Sequence, residues 1–76
     1  MSPHKLPVCS GVEAVRAFER AGWVVRREGS HIILAQQGNF AVLSVPNHAE
    51  LAPGLLRKLI RLSGLSVDEF IELLRV

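Results

Sequence analysis

Between Trp23 and Val45 the chain carries three runs of β-forming residues separated by two short glycine-containing turns, and this pattern constrains the fold most. Trp23–Glu28 is followed by Gly29-Ser30, His31–Gln36 by Gln37-Gly38-Asn39, and Phe40–Val45 leads into Pro46. Parallel neighbours need a crossover of a dozen or more residues, whereas a hairpin needs only a few turn residues. The three runs therefore read as an antiparallel meander. Pro46 ends the third strand, because proline offers no N–H to a ladder.

Helix signals flank the meander on both sides. Ser10-Gly11-Val12-Glu13 has capping-box spacing, with Ser10 as N-cap and Glu13 reaching back. Val12, Val15, Phe18 and Ala21 recur at three-residue steps and predict one core-facing stripe. Gly22 stands where a left-handed residue ends a helix. Pro53 suits the first turn of a second helix, with Leu55, Leu56, Leu59 and Ile60 as its apolar stripe and Arg57, Lys58 and Arg61 opposite. Gly64 closes that helix. Ser66-Val67-Asp68-Glu69 is a second capping box, opening a short last helix that turns Phe70, Leu73 and Leu74 inward. The expected fold is an α+β two-layer sandwich, α-β-β-β-α with a short extra C-terminal helix. It occupies residues 10–76, with residues 1–9 as a tail. Strand alternation sends Ile32 and Leu34 to one face and His31, Ile33 and Ala35 to the other. Both sets contain large aliphatics, so the pattern leaves open which face the helices cover.

With 76 residues there is room for one core, burying about 60% of the unfolded surface. About half the residues are hydrophobic, more than so small a body hides, so part of the apolar surface should face outward and meet a protein partner or a second copy. The net charge of +2 makes the overall field a weak argument for nucleic acid, and the placement of the basic residues matters more than their sum. The single cysteine, Cys9, allows no internal disulfide and fits a reducing, cytoplasmic setting. Met1–Pro7 has no apolar run of the signal-peptide kind, and nothing approaches the roughly 18 apolar residues of a membrane span.

Candidate chemistry centres on His31, which follows Gly29-Ser30 at the start of a strand. Imidazole is the side chain whose ordinary pKa lets it take and give a proton near neutrality. From the residues alone, a catalytic imidazole and one kept for turn geometry are equally supported. His48, after Pro46-Asn47, reads first as a loop residue hydrogen-bonding backbone near Pro46, and second as an acid or phosphate ligand. His4 lies in a proline-flanked tail and is assigned nothing. Three histidines without close-spaced partners give no metal motif. Ser30 is no nucleophile, since its neighbour His31 points to the opposite side of the strand. One of Arg26 and Arg27 must share a sheet face with His31, where a guanidinium can grip phosphate through two donors. Lys58 and Arg61 form a basic flank that is more often simply solvated. Trp23 could stack on a base, but a tryptophan between a C-terminal glycine and two valines is more often core.

Taken together, Ser10-Gly11, Gly22-Trp23, Gly29-Ser30-His31, Val45-Pro46-Asn47-His48, Pro53-Gly54 and Gly64-Leu65-Ser66 resemble the HicA family of small mRNA interferase toxins, from Ser10 to about Leu74. That resemblance implies a fold like the double-stranded-RNA-binding domain, RNA cleavage without a metal or other cofactor, and a HicB-type antitoxin covering the active surface. The family's catalytic histidine maps onto His31. Ser30, Arg26, Arg27, Lys58 and Arg61 are then the candidate RNA contacts, with His48 secondary. The run Ile32–Gln37 is more apolar than the polar or basic stretch family members often carry there. Two other functions fit the same residues: a non-catalytic RNA-binding module, and an interaction protein whose apolar sheet face serves only a partner.

Overall fold

A computed structural model describes residues 5–76, and His4 lies outside them. The elements run α1 (Gly11–Arg20), β1 (Val24–Arg27), β2 (His31–Ala35), β3 (Leu43–Pro46), α2 (Pro53–Ser63) and α3 (Val67–Arg75). This is the expected α+β sandwich, with the sheet in the order β1-β2-β3 and both pairings antiparallel.

Both capping boxes form. Ser10 Oγ accepts from the Glu13 N–H at 3.0 Å while Glu13 Oε1 accepts from the Ser10 N–H at 2.8 Å. Ser66 and Glu69 repeat these bonds at the same two distances. Two of the four orphan donors at each helix start are thereby satisfied. Gly22 and Gly64 take the left-handed backbone expected after a helix, at φ 100° and 84°.

Strand pairing settles which sheet face is covered. Ile32 lies opposite Val45 and Leu34 opposite Leu43, so four aliphatics form one continuous patch. On the other face His31 meets Pro46 and Ile33 meets Ser44. Burying the first patch removes more apolar area from water and strands no hydroxyl or imidazole. Ile32, Leu34, Leu43 and Val45 are accordingly buried under the helices, and His31 stands exposed on the open face.

Two local expectations change, and the core reading of Trp23 holds. The buried stripe of α1 is Ala14, Val15, Ala17 and Phe18, while Val12 is 40% exposed and Ala21 half-buried. Fully buried Ala14 and Ala17 leave room for α1 to approach the elements beneath it closely. β3 begins at Leu43, not Phe40. Asn39 Oδ1 accepts from the Ala41 N–H at 2.9 Å, a side-chain turn that takes this stretch out of the ladder, and Phe40 is fully exposed. Trp23 is 2% exposed, so it is core and has no face to offer a base.

α3 closes the helical layer against α1. The Phe18 and Phe70 rings lie 5.1 Å apart, and Arg20 Nη1 donates to the Leu73 carbonyl at 2.6 Å, near the C-terminal end of α3 where cations are favoured. Cys9 is buried with this core and Leu6 packs against it from the segment before Ser10. No helix among the described residues is long and apolar enough to cross a membrane.

Candidate functional site

His31 is held by backbone, not by side-chain partners. The Ser30 carbonyl, in the turn before β2, accepts from the Asn47 N–H at 2.9 Å, in the loop after β3. One residue on, the His48 carbonyl accepts from the Gly11 N–H, also at 2.9 Å. A Cβ on Gly11 would overlap the Pro46 carbonyl oxygen and stand only 3.2 Å from its carbon and 3.3 Å from the Asn47 Cα. Only glycine lets the start of α1 come this close to the loop. The start of α1, the loop after β3 and the turn before β2 are thus one hydrogen-bonded unit, and His31 sits at its edge, paired with Pro46. The hydrogen bond expected of the His48 imidazole is made here by its carbonyl, and the ring is exposed.

The open face carries Ile33 and Ala35 beyond His31 on β2, and Ser44 beside Ile33 on β3. On β1, Val25 pairs with Leu34 and Arg27 with Ile33, leaving Arg26 as an extra, bulged residue. Arg27 therefore shares the face of Ile33, and Arg26 lies at the distortion beside it. Both are exposed, as is Ser30.

A groove of about 330 Å³ runs between this face and α2. His31, Val42, Ser44 and Pro46 line its sheet side, and Leu55, Lys58, Leu59 and Leu62 its helix side. The helix residues are spaced three and four apart, hence one face of α2. Lys58 belongs to that face. Arg57 and Arg61 are exposed but do not line the groove, so the basic flank expected on α2 divides in two. Nothing local in the sequence marks Ser44 as part of a site. Its alternation within β3 was readable, but its place beside the histidine depends on strand register. No acidic residue lines the groove. Among the described residues, no three His, Cys, Asp or Glu side chains stand close enough to hold a metal ion.

The profile for the HicA toxin of bacterial toxin–antitoxin systems matches residues 11–65. The chain belongs to the HicA toxin family. The match spans the Gly11 contact, His31, Asn47 and the groove, and stops before α3. A chain from a toxin–antitoxin complex of Streptococcus pneumoniae has a similar fold, with TM-score 0.65 and 29% identity over 74% of this chain and 97% of that one. Comparison with curated protein sequences gave no significant match. In this HicA member the α-β-β-β-α body thus lies within the family match, and α3, beyond it in the chain, packs on the helical side through Phe70.

Proposed function

We propose that this HicA-family toxin is an endoribonuclease that cleaves mRNA without a metal, using His31 for proton transfer, and that a HicB-type antitoxin neutralises it by covering the open sheet face. The observation that carries this reading is the exposed His31 ring at a groove that also presents the Lys58 ammonium. Using the ribose 2′-OH as an internal nucleophile requires no metal-activated water. His31 takes the 2′-OH proton, and the 2′-oxygen attacks phosphorus. The bond to the 5′-oxygen breaks, a cyclic phosphate remains, and the departing oxygen takes a proton from solvent. Such acid–base help is worth about 10²–10⁴-fold. Lys58 and Arg27 stand on either side of the histidine's face to hold phosphate, with Arg26, Ser30 and His48 at its margin. Arg61, outside the groove, adds to the field.

The antitoxin reading rests on the same surface. Ile33 and Ala35 are half-buried and Val24 is 48% exposed, an apolar strip next to His31 that a protein can cover. The family match and the neighbour from a toxin–antitoxin complex support a partner of this kind.

The test is expression of wild type and His31→Ala side by side, with growth and transcript integrity scored. The variant is expected to fold normally, to leave growth unaffected and to leave RNA whole. Undiminished cleavage by His31→Ala in metal-free buffer would refute the role.

A further inference from the structure

We propose that the groove between the open sheet face and α2 is a nucleobase site, receiving the base of the nucleotide whose ribose lies at His31. The inference rests on the RNA placement proposed above and goes further, because it assigns base recognition to aliphatic walls, Ser44 and Lys58.

The polarity of the groove matches a nucleotide. His31 and Lys58 approach from opposite sides, β2 and α2, and between them the lining is Val42, Pro46, Leu55, Leu59 and Leu62. A nucleotide has the same division, with phosphate and ribose hydroxyl outside and a flat ring of low polarity inside. Ligand pockets start at about 300 Å³, and this groove of about 330 Å³ suits one ring system and little more. Charge makes the choice of ligand sharper. The hollow between α1 and the sheet carries Glu19 and Glu28 with Arg16, and the one between α1 and α3 carries Glu69 and Glu72. Among the described residues the groove at His31 is lined by Lys58 and by no carboxylate, so a polyanion enters it at lower electrostatic cost.

The contacts also limit what the site can discriminate. The one buried tryptophan is unavailable, and no aromatic ring lines the groove, so a base is held by Pro46 and the leucines instead of by aromatic stacking. Ser44 is exposed, and its hydroxyl, which has no hydrogen bond among the described residues, can both donate and accept toward a base edge. Lys58 meets phosphate. Recognition therefore follows ring size and one hydrogen bond.

The experiment is fluorescence anisotropy with labelled 2′-deoxy hexanucleotides, which bear bases and phosphates but cannot be cleaved through a 2′-oxygen, against hexamers with abasic sugars throughout. Wild type is expected to bind the base-bearing strand about tenfold more tightly, the worth of one ring face removed from water. Val42→Trp, at a 53% exposed position on the rim, should fill the groove and erase that difference while leaving abasic binding unchanged. Lys58→Ala should weaken both strands alike. Equal binding of the two strands by wild type, failure to bind either, or a Val42→Trp loss that is the same for both would overturn the base site. Because the strands cannot be cut by the proposed route, base-dependent binding with no RNA cleavage would count against the nuclease and not against the groove. Cleavage of RNA with base-independent binding would do the reverse.

Discussion

Gly11 and Gly54 both lie in the first turn of a helix, and the same substitution to alanine should move stability in opposite directions. At Gly54 a Cβ meets no heavy atom within 4 Å. Gly54→Ala should therefore gain the usual benefit of less unfolded-chain entropy, about 0.4–1 kcal/mol. At Gly11 the Cβ would overlap the Pro46 carbonyl oxygen, with the Pro46 carbon and Asn47 Cα at 3.2 and 3.3 Å behind it. These are backbone atoms and cannot rotate away, so α1 and the loop must separate by roughly an ångström to restore ordinary contact. Overpacking of this kind costs about 1–3 kcal/mol. The separation also stretches the 2.9 Å bond from the Gly11 N–H to the His48 carbonyl, worth about 0.5–1.5 kcal/mol. Against an alanine benefit of about 1 kcal/mol, the net loss is about 0.5–3.5 kcal/mol. For a domain of this size that lowers Tm by about 2–28 °C, while Gly54→Ala raises it by a few degrees. Thermal unfolding followed by circular dichroism on both variants and wild type reads the signs directly. A Gly11→Ala protein as stable as wild type, or more so, would show that the close approach of α1 to the Pro46–His48 loop is not what holds the turn before His31.

Two further outcomes follow from burial and exposure. Ile33→Asp places a carboxylate in the middle of the apolar strip on the open face. It should abolish co-purification with a HicB-type antitoxin while lowering stability by about 1 kcal/mol, the span of strand propensities, and retained co-purification would move the partner to another surface. Cys9 is 4% exposed, and burial, assisted by the charge of Glu13, raises its thiol pKa above 9.0. Alkylation of the native protein should be slow and should track global unfolding. The folded state keeps the thiol proton to higher pH than the unfolded state, so this group's contribution is present below the unfolded thiol's pKa and is lost as pH rises through the folded value. Rapid labelling of the folded protein at pH 8 would contradict that burial.

Local chemistry was legible along the chain because each signal is decided within a few residues. Ser10 with Glu13 and Ser66 with Glu69 are three residues apart, and the bonds they make depend on little else. Gly22 and Gly64 mark left-handed positions, and the turns at Gly29-Ser30 and Gln37-Gly38-Asn39 permit only antiparallel neighbours. The α1 stripe is less legible because three-residue steps drift from the 3.6-residue helical period, and because alanine gives little hydrophobic signal although Ala14 and Ala17 are fully buried. β-propensity favours a strand at Phe40, but it yields to the Asn39 side-chain turn next to it.

The sequence by itself determined the element order, the caps and a histidine at the mouth of a turn, since backbone geometry and nearest-neighbour hydrogen bonds encode all three. Which sheet face lies open, which of Arg26 and Arg27 shares it, and which cation of α2 meets His31 were decided only in the tertiary structure. Each depends on register between segments distant in the chain: Ile32 against Val45, the bulge at Arg26, and the rotation that turns Lys58 toward the groove and leaves Arg61 outside it. A one-residue slip in any of these pairings reverses the face a side chain occupies, and no local pattern records it.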